Sequence, residues 1–556
     1  MKIRIPALLS LFVLLYSQSE AQDTSMPFNR DTQHRIDKAV NLSGNKANIH
    51  TGLKPFDRSD IKRTLETAQE QGIKFSPEDI FLLDQGNWLA QDSLRTRKGF
   101  LKYFFTNGND FYHVNEDRFK LRLNPVLYVG GGIEKDADDK LFINTRGAEV
   151  EGLIGKKIGF YSYIATTQAR YPEYVIGKVN QGNAIPTEGY WKKFKETGYD
   201  YFTARGYISF NPIEEINVKF GYDKLFVGEG YRSMILSDNP NAYLFLKTDT
   251  KVWKIRYTNL WAKMTSQPFG HFNQEEQSAK FAKYFAMHRL GINITPTLNV
   301  GLSETITYGD VHENGEAYSP KAEFFVPVIF YRAIELETGS YDTDAKVALD
   351  AKWNPWPRLS LYGQFLLDEF NLKFFKQDGW WANKYAVQAG AKYYDALGIK
   401  DLDLQAEFNT ASPYTYAHAT NYTSYTHYGL SLAHPLGANF TELVGIARYR
   451  PHRRLEMVLT SMFADYGTSD GDNNWGDDPN RSYNDRVQDF DNKIGQGITN
   501  QTITADLRLS YRLFSNAFID LRQIVRNHQM ADQPDKTAYA STVAFRWNIS
   551  AREDLY

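Results

Sequence analysis

Between Thr502 and Leu513, the residues Ile503, Ala505, Leu507, Leu509, Tyr511 and Leu513 fall on one side of an extended chain. Thr502, Thr504, Asp506, Arg508, Ser510 and Arg512 fall on the other. Successive side chains of a strand point to opposite faces, so this spacing predicts a strand with one apolar and one polar surface. The pattern recurs from about Arg118 onward, as in Phe119-Leu121-Leu123 and Ile216-Val218-Phe220-Tyr222. In Leu402-Leu404-Ala406-Phe408 the opposite face carries Asp401, Asp403, Gln405, Glu407 and Asn409. Strands of soluble sandwiches are usually about five or six residues long. The runs here are about ten or more, the length and alternation of a transmembrane barrel with apolar residues to lipid and polar residues to the lumen.

The interruptions fit the same architecture. Short turns are expected at Asn211-Pro212, Thr295-Pro296, Asn354-Pro355-Trp356-Pro357 and Arg450-Pro451-His452. Longer polar segments lie near 171–198, 224–240, 265–280, 308–323 and 465–500. Short periplasmic turns opposite long external loops are the asymmetry of outer-membrane barrels. The count is about eighteen strands, give or take two, in an all-β antiparallel barrel. Reading 241–248 as a strand corrects the chain direction early and spoils it near 293–343. The last strand is expected from Tyr539 to Ile549, and Tyr556 is compatible with a terminal aromatic assembly signal.

Residues 1–97 follow other rules. Met1-Lys2-Ile3-Arg4, an apolar run from Ile5 to Tyr16, and Ser19-Glu20-Ala21 form a signal peptide over 1–21. Residues 22–97 carry helical signals. Ser59 is positioned to cap a helix with Ile61, Leu65 and Ala68 on one face, ending at Gly72. Ser76-Pro77-Glu78-Asp79 opens a second, with Ile80, Leu83 and Trp88 on its apolar side, and a shorter helix is expected near Asp31–Val40. Helices this short need a surface to pack on. The barrel's periplasmic mouth would make them a plug; a free periplasmic domain is the alternative. The barrel then occupies 98–556.

Composition narrows the chemistry. The chain of 556 residues has 36 Tyr, 36 Phe and 10 Trp, which suits the aromatic girdles of a barrel. Its mean hydropathy of -0.50 and lack of a long uncharged run after the leader exclude helical spans only. There is no cysteine, hence no lipid-anchoring thioether, disulfide or thiolate chemistry. A net charge of -2 provides no global field for nucleic acid.

Several segments invite a functional reading. Gly228-Glu229-Gly230-Tyr231-Arg232-Ser233 lacks the spacing of a phosphate loop. It reads better as a glycine-hinged loop folded into the lumen, with Tyr231 and Arg232 as ligand candidates or Arg232 as an interior lock. Asp470, Asp472 and Asn474 offer hard oxygen ligands for calcium, but Trp475 holds the glycine position of an EF-hand and Arg481 the glutamate position. Trp475 beside carboxylates and amides suits a sugar ring, as do Trp380 and Trp381, for which a membrane girdle is an equal explanation. His418, His427 and His434 match no metal spacing and are read as structural. His312-Glu313 fails to continue to a zinc motif, because Glu316 replaces the second histidine, and no GxSxG is present. Asp368-Glu369, adjacent on a strand, should face opposite ways.

Phe226-Val227-Gly228-Glu229-Gly230-Tyr231-Arg232-Ser233 through Leu236-Ser237-Asp238 resembles the capsule-assembly Wzi family. Tyr362-Gly363-Gln364-Phe365-Leu366-Leu367-Asp368-Glu369-Phe370, Asp395 to Glu407 and His434-Pro435-Leu436-Gly437 look like its RemB-like members in gliding Bacteroidetes. Glu229 stands where the family motif more often has proline. The resemblance implies an outer-membrane barrel of about eighteen strands with a helical plug, acting as a lectin that holds cell-surface polysaccharide. It implies no enzyme, no required cofactor, and outer-membrane lipid and surface or periplasmic proteins as partners, with a role in capsule attachment, adhesion or gliding. A diffusion porin and an outer-membrane hydrolase are the competing readings. A TonB-dependent transporter fits poorly, because the chain is short for a large barrel with a globular plug.

Overall fold

The computed structural model describes residues 24–73, 104, 110–155, 157–182, 184–266, 281–309, 319–328, 330–338, 342–369, 379–514 and 516–554. The leader over 1–21, the helix opening at Ser76 and Tyr556 lie outside the described residues.

Eighteen antiparallel strands close into one barrel. They are β1 (Phe119–Glu134), β2 (Leu141–Ile154), β3 (Ile158–Arg170), β4 (Gly198–Ile213), β5 (Ile216–Asp223) and β6 (Tyr243–Val252). Next come β7 (Ile255–Ser266), β8 (Phe281–Thr295), β9 (Leu298–Tyr308), β10 (Thr343–Trp356), β11 (Leu359–Glu369) and β12 (Lys384–Tyr393). The ring ends with β13 (Leu402–Ala411), β14 (Phe440–His452), β15 (Leu455–Thr468), β16 (Ile498–Phe514), β17 (Ala517–Met530) and β18 (Lys536–Trp547). β18 closes on β1 with Val543 opposite Gly131 and Trp547 opposite Leu127. Tyr112–Glu116 pairs with the remaining start of β1, from Phe119 to Leu123.

The barrel is inside-out, as the alternation requires. Ile503 and Val543 are 56% and 54% exposed, while Asp506 and Arg508 are buried in the lumen. The segment 241–248 is indeed strand, within β6. Pro212 sits inside β4, and the turn falls at 214–215. The final strand stops at Trp547, short of the expected Ile549, and 548–554 turns into the lumen. There Ile549 packs on Val126 and Tyr161, and Asp554 pairs with Arg522 at 2.7 Å.

Two helices, α1 (Arg30–Leu42) and α2 (Arg58–Glu70), fill the periplasmic side of the lumen. Asn29 caps α1 by accepting from the amides of Asp31 and Thr32. The cap position of α2 is Asp57, with Ser59 already in the first turn. Ile36 and Val40 of α1 meet Ile61 and Leu65 of α2 in a small apolar core with Ile49 and Phe56. Positions 31, 34, 35 and 38 lie on one face of a helix, and here they face the wall. Asp31 meets Arg448 and Arg508, His34 meets Asp403 at 2.8 Å, Arg35 meets Glu456 at 2.6 Å, and Lys38 meets Asp395 at 2.9 Å. From α2, Arg58 forks onto Glu151 at 2.6 Å, and Asp57 draws Lys251 at 2.9 Å.

The segment 224–242 descends from the other side. Its backbone is held by polar side chains of the lumen. Glu407 accepts the amides of Tyr231 (2.7 Å) and Arg232 (2.9 Å), and Gln364 bonds Val227 O and Met234 N. Gly228 has φ +122, and a Cβ on it would meet Gln364 Nε2 at 2.1 Å; one on Gly230 would meet Glu407 at 2.6 Å. Met234, Ile235 and Leu236 are fully buried against Phe245, Leu260, Phe285 and Met287, so this part of the lumen is apolar. Loop and plug then join. Leu53–Lys54 pairs antiparallel with Phe226–Val227, and Gly228 N donates to Gly52 O. Glu229 accepts from Thr51 Oγ1 at 2.5 Å and pairs with Lys352 at 3.5 Å. The Glu229 carboxylate therefore ties loop, plug and wall together.

Candidate functional site

The external loops 379–383, 412–439 and 469–497 interlock into one ordered surface. Trp381 N donates to Asp489 O (2.9 Å), and Tyr414 N donates to Gly476 O (2.8 Å). Around the Trp381 ring stand Tyr483 at 4.8 Å, Tyr414 edge-on at 6.4 Å and Trp380 at 5.9 Å; Trp380 also meets Phe490 at 4.9 Å. The Arg486 guanidinium covers Trp381 at 4.3 Å. Both tryptophans therefore belong to the loop surface and not to a membrane girdle. The indole N–H of Trp381 is buried with no hydrogen-bond partner among the described residues.

Trp475 lines an adjoining cleft of about 480 Å³ with Asp470, Gln488, Asp491, Lys493 and Gln496. Gln496 Nε2 donates to Trp475 O at 3.0 Å, and Gly497 lies so close that a Cβ would meet the indole at 2.8 Å. A planar apolar ring beside amides, carboxylates and one ammonium can stack on a sugar face and bond its hydroxyls.

The three candidate cation ligands of this loop stand in different settings. Asn474 is fully buried, its Oδ1 accepting from Gly476 N (2.9 Å) and its Nδ2 donating to Ser482 O (2.8 Å). Asp470 and Asp472 are exposed, in a turn whose carbonyls at Gly471 and Asp472 accept from Arg481. Among the described residues no three His, Asp or Glu side chains gather as a metal site.

The remaining candidates are paired within the protein. Arg232 spends its guanidinium on Glu442 at 2.9 Å, and Glu442 also meets His434 at 2.8 Å. Tyr231 donates its hydroxyl to Glu553 at 2.8 Å. Both are buried inside the barrel, where they line an interior cavity with Arg30, Asp238 and Glu553, and neither reaches the outer surface. His418 bonds Thr423 at 2.6 Å, and His427 accepts from Thr265 N at 2.9 Å; burial pushes both imidazoles down to about 3. Asp368 and Glu369 do not diverge as simple alternation requires. The register shifts between Leu367 and Glu369, and both carboxylates lie near Lys384, at 3.7 and 3.2 Å. Sequence reasoning missed Arg486, Gln488, Asp491, Lys493 and Gln496, because a loop of irregular backbone carries no period from which side-chain direction can be read.

No protein-family model matches the chain, and no curated protein does. Among solved structures, the chain is similar to Wzi of Escherichia coli, described as an outer-membrane protein involved in group 1 capsule assembly and a carbohydrate-binding β-barrel. The TM-score is 0.53 at 13% identity, over 95% of this chain and 100% of that one. Pseudomonas aeruginosa OprD (TM-score 0.41, 11% identity, 77% and 94% coverage) and OpdK with vanillate (0.42, 8%, 77% and 98%) also match. The likeness to Wzi is one of fold, that of an outer-membrane barrel.

Proposed function

We propose that this outer-membrane barrel is a non-enzymatic binder of cell-surface polysaccharide, assisting its attachment or surface adhesion and gliding. The observation that carries the reading is where a ligand can be met. Plug and inward loop join inside the barrel through the pairing of Leu53–Lys54 with Phe226–Val227, beside an interior cavity lined by Arg30, Tyr231, Arg232 and Glu553. Aromatic and amide-rich groups open to a ligand from outside lie on the external loops, at Trp380, Trp381 and the Trp475 cleft. The barrel fold shared with Wzi, a carbohydrate-binding barrel, supports the same reading. The porin alternative needs an open path that this interlock obstructs.

The test is binding of the detergent-solubilised protein to polysaccharide extracted from its own cells. Saturable binding, unchanged by a calcium chelator, is expected. A folded barrel that retains none, and conducts ions in a planar bilayer, would return the assignment to a channel.

A further inference from the structure

The outer wall breaks the barrel's alternation rule along β6 to β9. Thr248, Asn259, His288 and Glu304 are direct cross-strand neighbours on β6, β7, β8 and β9. Their sequence neighbours Lys247, Leu260, Arg289 and Ser303 are buried in the lumen, so this polar row points outward, into the band where a barrel meets lipid. Yet Asn259, His288 and Glu304 are only 4%, 6% and 9% exposed. What covers them is the connection between β9 and β10, including a short 3-10 turn (Ala322–Phe325) and the helix α3 (Tyr331–Thr338). It folds down the outside of the wall, packing Phe324, Tyr331 and Ile334 on the outward residues Ala286, Ile306, Tyr308 and Ala345.

Irregular backbone at membrane depth is costly unless its polar groups are satisfied. Wall side chains satisfy three of them, Phe324 O, Pro327 O and Arg332 N. Trp261 Nε1 donates to Phe324 O at 2.8 Å, and Tyr257 OH donates to Pro327 O at 2.6 Å. Glu304 accepts Arg332 N at 2.9 Å, Tyr331 OH bonds His288 Nε2 at 2.7 Å, and Glu335 accepts Ala345 N at 3.2 Å. Arg332 is paired with Glu335. The segment spans much of the wall's height, from the Lys321–Asp342 pair at its root to Tyr257, next to the periplasmic turn that opens β7. Its far side carries three large apolar side chains, together with the exposed Glu323, Arg332 and Glu337. Val328, Phe330 and Leu336 are 76%, 72% and 73% exposed, continuous with the lipid-facing Leu302, Val347 and Leu349 of β9 and β10.

We propose that residues 322–338 form an intramembrane annex seated among the acyl chains of the surrounding bilayer. Tyr257, Trp261, His288 and Glu304 are the wall side chains that hold it there. The annex takes Ala322–Phe325 and Tyr331–Thr338 away from the external surface.

The chain has no cysteine, so a single one can be labelled. Val328→Cys carrying a nitroxide, in phosphatidylcholine vesicles, is compared with Leu349→Cys on the wall and Asp472→Cys in an external loop. The annex predicts high collision with oxygen and loss of collision with a water-soluble nickel chelate, matching Leu349→Cys. Nickel access matching Asp472→Cys would overturn it, as would shielding from both reagents, which means cover by a second copy or another protein. If Val328→Cys fails to fold, by heat-modifiable migration, Leu336→Cys gives the same reading. Adding Glu304→Leu should restore nickel access at the label severalfold; no change would remove Glu304 from its assigned role.

Discussion

Arg508 Nη2 donates to Asp31 Oδ2 at 2.7 Å, joining barrel wall to plug across 477 residues of sequence. Arg448 takes the other oxygen at 2.6 Å. Burial by itself pushes the Asp31 carboxyl up, but Arg508 and Arg448 outweigh it and hold the group far below the usual carboxylate range. A folded value below the unfolded one gives stabilisation that is present above about pH 4 and lost as pH falls further.

Asp31→Asn removes the carboxylate that Arg508 and Arg448 share. Breaking a buried pair from one side costs about 3–5 kcal/mol. The plug should then become sensitive to protease, and planar-bilayer conductance should rise above that of the parent protein. A variant as resistant and as silent as the parent would show that this pair does not seat the plug.

Gly230→Ala should displace the inward loop, because its Cβ would meet Glu407 and Gln388 side chains at 2.6 Å. Contacts under 3.0 Å force the backbone or its anchors to move, at roughly 1–3 kcal/mol for overpacking. Gly445→Ala, where a Cβ meets nothing within 4 Å, is the control. Loss of heat stability and appearance of ion leak are expected for the first and not for the second.

The external loops should loosen in acid. His418 and His427 are held near 3 by burial, against 6.5 in an open chain. Below pH 6.5 the opened loops bind protons that the closed ones do not, so stability falls with pH by about 1.4 kcal/mol per unit for each histidine. Amide protection in 412–439, corrected for the intrinsic exchange rate at each pH, should therefore fall between pH 7 and pH 5, and His418→Gln should flatten the dependence. Corrected protection that is independent of pH would contradict the assignment.

The barrel was legible wherever one face met lipid and the other met water or ions, as in β16. It was least legible between 243 and 343, where the strand directions did not close. There both faces are exchanged in part, since Lys247, Arg289 and Ser303 still line the lumen and Leu302 still faces out. Phe245, Leu260 and Met287 fill an apolar lumen against Met234 and Leu236, while Asn259, His288 and Glu304 face outward beneath the annex. A period of two survives that exchange, but its polarity no longer says which side is lipid. The plug's charged stripe at Asp31, His34, Arg35 and Lys38 was present as helical spacing. Its partners, hundreds of residues away, were not. On the external surface Trp380, Trp381 and Trp475 stood out by residue type, whereas the cleft partners around Gln488 and Lys493 depended on loop geometry.

The most direct measurement is titration of the cells' own surface polysaccharide into the parent protein and into Trp381→Ala, Trp475→Ala and their double variant, each shown to be folded. Aromatic contacts of this kind are worth about 0.5–1.5 kcal/mol, a roughly two- to tenfold weakening for each single change. The account predicts that weakening in each single variant and a larger loss in the double. Equal affinity in all four proteins would contradict it and place the polysaccharide, if bound at all, away from these loops.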